Sequence, residues 1–238
     1  MLLRAASEEH DDVIVDGYLA EQVRAAERPL LYAGVPLMAR AAAGLAAEVR
    51  RLLATRGRRT GRIVVLAGSG SNGGDALLAA AALVAEGSSA VVVRLGRGVH
   101  AEGLRAAQRA GATVLPPDAS AGRIAAEVAR ADVVLDGILG TGARGPLRGP
   151  ARQVVGRLLE SGGHGAVVVA VDLPSGLGPD DGVPHPPLLR ADVTVTFGAV
   201  KAGLLAPGAR AWTGRVRLVD IGLAPALAGV GPAARGPL

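Results

Sequence analysis

The sequence predicts an α/β fold: a mostly parallel sheet with helices on both faces. Three observations predict it. From residue 62 to 219, short apolar runs alternate with helical segments, the pattern of strands joined by right-handed helical crossovers. Several of the runs are continuous Val, Ile and Leu, as in strands buried on both faces. Four of them lead directly into polar, glycine-rich segments. At 238 residues, half of them hydrophobic and 20% charged, the chain is long enough to bury a sizeable core.

The elements follow in order. Between residues 18 and 53, Leu37, Ala41, Leu45, Val49 and Leu52 recur at three- and four-residue spacing, a helical stripe with Arg40, Glu48, Arg50 and Arg51 off it. Pro29 and Pro36 are expected to break this region into at least two helices. Residues 62–67, 90–95, 113–115, 132–135, 166–171, 193–197 and 216–219 read as strands. Residues 74–85, 100–110, 120–130 and 151–160 read as the intervening helices. The division expected is an N-terminal extension (1–17), one domain (18–223) and a Pro/Gly-rich flexible tail (224–238).

Composition narrows the function. With no cysteine, thiolate nucleophiles, zinc ribbons and iron–sulfur clusters are excluded. The longest run without a formal charge, 221–234, is shorter than a membrane span, so no membrane partner is expected. The N-terminus lacks the apolar core of a signal peptide, which points to the cytoplasm. The net charge is +5, but the arginines are scattered and only Tyr18, Tyr32, Phe197 and Trp212 are aromatic, a poor stock for stacking on bases. No nucleic-acid partner is expected. Asn72 and Lys201 are the single asparagine and the single lysine of the chain.

Ligands of such sheets bind beyond the carboxyl ends of the strands, so four segments should share one edge: 68–75 (GSGSNGGD), 136–142 (DGILGTG), 172–176 (DLPSG) and 198–201 (GAVK). Gly68, Gly70 and Gly73 match a pyrophosphate-binding turn, or they simply turn the chain while Asp75 caps a helix. Asp75, placed in the first helical turn, would oppose a phosphate. Asp136 and Asp172 end strands, as caps or as ligands. With Asn72 and Ser175 they form a hard oxygen set of low charge, better suited to a monovalent than to a divalent cation. Lys201 either pairs with one of these aspartates or a substrate phosphate, or is an exposed loop lysine. His10, His100, His164 and His185 lie outside the four segments.

Taken in order and spacing, residues 70–76 (GSNGGDA), 136–146, 171–176 (VDLPSG) and 191–205 (ADVTVTFGAVKAGLL) resemble the NAD(P)H-hydrate epimerase family, also called the YjeF N-terminal domain. The similarity runs from residue 18, through 20–27 (AEQVRAAE), the family's opening helix, to 220–222. The resemblance implies a Rossmann-like three-layer α/β/α sandwich, usually a homodimer. Such an enzyme interconverts the R and S epimers of hydrated NADH and NADPH with the help of potassium. It places Asn72, Asp136 and Ser175 at the K+ site. It places Ser71, Asn72, Gly73, Gly74, Asp75, Gly140, Thr141, Gly142, Ala143, Arg144, Gly145, Pro146 and Asp172 at the nucleotide. Ser71 and Ala76 depart from the family's usual Asn and Gly. Many bacterial relatives carry a second domain, an NAD(P)H-hydrate dehydratase, the expected functional partner.

The leading expectation is therefore a nucleotide-repair isomerase with Asp172 moving protons at the substrate and Lys201 as its electrostatic partner. Two rivals stand beside it. One is an NADP-dependent reductase using Gly68, Gly70 and Gly73 on pyrophosphate and Arg94 or Arg97 on a 2′-phosphate. The other is a catalytically idle nucleotide- or protein-binding module.

Overall fold

The computed structural model describes residues 13–161 and 165–238. In chain order the elements are β1 (Ile14–Tyr18), α1 (Ala20–Tyr32), α2 (Leu37–Ala54), β2 (Arg62–Ala67), α3 (Ser71–Ala85), β3 (Ser89–Arg94), α4 (Ala101–Ala110), β4 (Thr113–Val114), α5 (Ala121–Ala129) and β5 (Val133–Gly137). They continue with α6 (Gly149–Glu160), β6 (Val167–Val171), β7 (Val193–Phe197), β8 (Val200–Lys201), α7 (Arg210–Thr213), β9 (Arg215–Val219), α8 (Ala224–Leu227) and β10 (Ala234–Pro237).

The expected architecture is present. Seven strands form one parallel sheet in the order β4-β3-β2-β5-β6-β7-β9. Successive side chains alternate between its faces. Ile63 and Val65 of β2 join the apolar cluster under α1, α2 and α3, whereas Val64 and Leu66 join the cluster under α5 and α6. Both faces are covered, hence the unbroken apolar strands.

Three local expectations need correction. Pro29 does not break a helix: α1 runs through it, and the Ala33 N–H still donates to the Pro29 carbonyl at 3.0 Å. Burial of Val23 and Ala26 against the sheet holds the helix over one missing bond, and the break comes at 33–36. The supposed flexible tail, 224–238, instead forms α8 and β10. The latter pairs antiparallel with β1, which pairs on its other side with β8. The expected N-terminal extension thus contributes a strand from residue 14 onward, and its first twelve positions lie outside the described residues, as do His10 and His164. Main-chain pairing at a small sheet makes little demand on side-chain pattern, so neither strand showed as an apolar run.

The chain leaves β2 for β3 on one side and later enters β5 on the other, so the sheet's order reverses between β2 and β5. A crevice opens at such a switch point. Gly68 makes the crossing of the two loops possible: its N–H donates to the Gly137 carbonyl at 3.0 Å, and a Cβ there would stand 1.8 Å from the Ile138 carbonyl oxygen. Gly68→Ala should therefore destabilise the protein by about 1–3 kcal/mol, the usual cost of overpacking. Gly156→Ala, in the interior of α6 with open space around the added carbon, should stabilise it by roughly 0.5–1 kcal/mol. Urea midpoints that move together, or not at all, would contradict the crossing constraint.

Candidate active site

A cleft of about 770 Å³ lies at this switch point. Its walls come from the loop after β2 and the head of α3, the loop after β5, the end of β6, β8, and helices α1 and α2. Of the residues singled out from the sequence, Ser71, Asn72, Asp75, Gly140, Thr141, Gly142, Ala143, Arg144, Pro146, Asp172 and Lys201 line it. Gly73 and Gly74 are buried inside α3, against the Gly68 carbonyl and His100. Gly145 lines a smaller neighbouring cleft of about 280 Å³. Asp136 and Ser175 are buried and bonded to each other, outside the cleft lining. The predicted constellation thus divides into an open acid–base cleft and a closed oxygen cluster, joined by Asn72.

In the cleft, Asp172 stands immediately after β6 with φ 71°, the one left-handed non-glycine residue described. An aspartate held there stores strain that the surroundings must over-determine. They do: its Oδ1 accepts from the Thr196 hydroxyl at 2.9 Å, the Phe197 N–H at 3.4 Å, and the Lys201 ammonium. Lys201 is 2% exposed and also donates to the Thr196 hydroxyl at 3.1 Å and the Phe197 carbonyl at 3.0 Å. Its three protons thus go to protein acceptors. Lys201 is accordingly no exposed loop lysine, and it acts on any ligand through Asp172. The carboxylate's Oδ2 stays outside this network.

Asp75 is the fifth residue of α3, so it sits in the second helical turn. It is 5% exposed, and its Oδ1 has no partner. Burial above all, then the negative charges of Asp172 and Glu27, push its carboxyl up to about 8, against the pull of Lys201. Glu27, half-buried on α1, is also raised, mainly by burial. Sequence reasoning gave Glu27 and its neighbour Arg24 no role. Arg24 ion-pairs with Glu21 and donates to the Thr141 carbonyl at 3.2 Å, tying α1 to the loop after β5. The available signal was the i, i+3 spacing of Arg24 and Glu27, which puts both on one helix face but does not say what that face covers.

In the oxygen cluster, Asp136 is 1% exposed and accepts from the Ser175 hydroxyl at 2.6 Å and the Ser175 N–H at 2.9 Å. Burial, the dominant influence, raises its carboxyl, and the bonds from Ser175 act in the other direction. The Asn72 amide donates to the carbonyls of Val171 at 2.5 Å and Leu139 at 3.2 Å. Its oxygen faces Gly140, where a Cβ would approach to 2.6 Å. Carboxylate, amide, hydroxyl and carbonyl oxygens therefore gather here around one formal charge. Among the described residues no three His, Cys, Asp or Glu side chains form a metal site. Arg94 and Arg97, the 2′-phosphate ligands of the reductase alternative, do not line the cleft; their loop contributes Leu95 and Gly96.

The sequence profile described as YjeF-related protein N-terminus matches residues 34–203. The chain belongs to the NAD(P)H-hydrate epimerase family. A relative from Clavibacter sepedonicus named NAD(P)H-hydrate epimerase is 50% identical, the match covering 93% of this chain and 96% of the relative. One of the same name from Microbacterium testaceum is 51% identical, covering 92% and 83%. A bifunctional NAD(P)H-hydrate repair enzyme from Mycobacterium tuberculosis is 42% identical over 87% of this chain, which spans 41% of that longer family member. The crystal structure of the yeast protein ynu0 shares the family fold, with a TM-score of 0.69 at 23% identity over 79% of this chain and 83% of that one.

Removing one partner of a buried ion pair leaves the other uncompensated. Lys201→Met should therefore cost about 3 kcal/mol or more of stability, read from urea unfolding. Adding Asp172→Asn should return part of the loss. Full parental stability in the single variant would show that the pair does not hold this end of the sheet.

Proposed function

We propose that the protein is an isomerase that interconverts the R and S epimers of hydrated NADH and NADPH, resetting the configuration at C6 of the damaged nicotinamide ring. The observation that carries this reading is the strained, buried Asp172, anchored by Lys201 at the floor of a nucleotide-sized cleft. Relatives matched along almost their whole length bear the epimerase name. The cleft volume lies within the ~300–1,000 Å³ usual for small-molecule sites.

Hydration leaves a hydroxyl on C6 next to the ring nitrogen, which makes that centre a hemiaminal. Its configuration is lost when the hydroxyl departs and returns, or when the N1–C6 bond opens to an aldehyde and recloses. Either route moves a proton at the C6 oxygen. Asp172 is assigned that exchange, since Oδ1 is fixed by three donors while Oδ2 remains outside them. Lys201 is a positioning residue that holds Asp172 in place. Residues 71–75 and 140–146 are assigned to the nucleotide.

Asn72, Asp136 and Ser175 would hold one potassium ion per subunit. Their oxygens and low charge fit a monovalent cation, and a bound ion would neutralise the buried carboxylate and stiffen the loops it joins. The family reading also carries a homodimer, a catalytic domain spanning 18–223 and a cytoplasmic location. No single helix among the described residues is long and apolar enough to cross a membrane. Because epimerisation only redistributes two damaged forms, net repair needs a second activity that removes water from one of them, an NAD(P)H-hydrate dehydratase.

Incubating one pure epimer with the protein and separating the products by chromatography tests the activity, which should bring the two forms to equilibrium. Asp172→Asn should slow this by about 10²-fold or more, the scale of general acid–base catalysis, while nucleotide binding falls far less. A folded variant that binds and epimerises at the parental rate removes Asp172 from the mechanism. For the cation, potassium should raise the Tm of the parent but not of Asp136→Ala. Equal stabilisation of both would refute the cluster as its site.

A further inference from the structure

Asp75 is a carboxyl group for which the fold provides no partner. Its Oδ1 is buried and unbonded, yet the residue lines the cleft. Buried polar atoms without partners are rare, and this one belongs to a side chain in the wall of a ligand-sized cleft. The charged groups facing Asp75 are Glu27 on α1, Asp172 beyond β6 and Lys201 on β8. The other polar groups of the elements packed around α3 are mostly engaged elsewhere. Arg40 of α2 donates to the Ile221 carbonyl, Asp136 of β5 is bonded to Ser175, and His100 at the head of α4 accepts from the Gly103 N–H. Arg94 ends β3 with its Nε buried and unpaired. The three cleft carboxyls therefore differ in kind: Asp172 is ion-paired to a lysine, while Asp75 faces the other two acids with no cation bonded to it.

We infer that Asp75 is the acid of the epimerisation, a catalytic residue that gives its proton to the C6 hydroxyl of the hydrated nicotinamide. The inference rests on the epimerase reading and goes past substrate contact to a chemical step. The C6–O bond breaks with its electron pair on oxygen, which takes the Asp75 proton and leaves as water. The N1 lone pair closes an iminium bond to C6. Water then adds to the opposite face, forming the new C6–O bond and releasing one proton to the Asp172 carboxylate. Return of that proton to Asp75, through Glu27 or cleft water, restores the starting state with atoms and charge balanced. An unpaired carboxyl as acid and an ion-paired one as acceptor divide the two roles between them.

A neutral carboxyl is the form this step requires, and the elevation to about 8 keeps Asp75 in that form at neutral pH. The sign for stability follows. The native state holds a proton that the unfolded chain releases in the ordinary carboxylate range, so the residue weakens the fold as pH rises from there to about 8. An amide has no such dependence.

Turnover of a pure epimer across pH, in parent and Asp75→Asn, is the test. The parental kcat/KM, which reports ionisations of the free enzyme, should fall as pH rises through about 8. Asp75→Asn should lower kcat by about 10²-fold or more with little change in KM, and should lose the alkaline limb. Its Tm relative to the parent should improve as pH rises. Added formate should restore turnover to Asp75→Ala above the uncatalysed rate. A folded Asp75→Asn with the parental kcat, or one that keeps the alkaline limb, overturns the assignment. So does a parental profile flat through that range, which needs no variant to fold. A parent with no epimerase activity at all overturns the reaction reading itself.

Discussion

A buried ammonium must place all its protons on oxygen, and in this protein the acceptors of Lys201 are the Asp172 carboxylate, the Thr196 hydroxyl and the Phe197 carbonyl. Those bonds pin the end of β7 and the short strand β8 to the residue that leaves β6. They also over-determine a left-handed aspartate, and they place one fixed positive charge in the cleft floor. Arginine is no substitute, because its planar fork cannot converge on three acceptors around a single point. That geometric demand gives a physical reason for the one lysine in a chain whose other cations are all arginine.

The fixed charge sorts the carboxyls around it. Asp172 takes the ammonium directly. Asp75 and Glu27 feel it only at a distance, too weakly to offset their own burial and the negative charges around them. A fold selected for stability alone would place an apolar side chain, or a bonded asparagine, where α3 carries Asp75. The unpaired buried oxygen is instead a standing loss in the free protein. Sites that keep such a loss exchange stability for function.

Much of this was legible in the sequence. Continuous Val and Leu runs mark β2, β5 and β6 because each strand is covered on both faces, and the polar segments after them mark one edge because parallel strands end on the same side. The same logic brought Asn72, Asp136, Asp172, Ser175 and Lys201 into one region. Other features were hidden for definite reasons. Asp75 looked like a charge set against a helix N-terminus because its depth, and the lack of a bond to Oδ1, come from packing of α3 between α2, α4 and the sheet. Glu27 reaches the cleft because α1 is laid across the switch point, with Asp180 accepting from the Ala20 N–H at 2.7 Å at its start. Nothing local to 20–32 encodes that placement. The β1–β10 pairing was hidden because main-chain bonds carry it.

Asn72 joins the two halves of the site through one amide. Its N–H groups bridge the Leu139 and Val171 carbonyls, so the loop after β5 and the last residue of β6 are both tied to the first turn of α3. Val171 directly precedes Asp172, and Leu139 directly precedes the 140–146 loop. Any change in the oxygen cluster that moves the amide therefore acts at once on the backbone beneath the cleft carboxylate and on the loop at the cleft wall. An aspartate at 72 would set a negative charge against two carbonyl oxygens and lose both bonds. A serine could not span both acceptors. The amide alone offers two donors and one acceptor in a single plane, which gives a physical reason for one asparagine at this position.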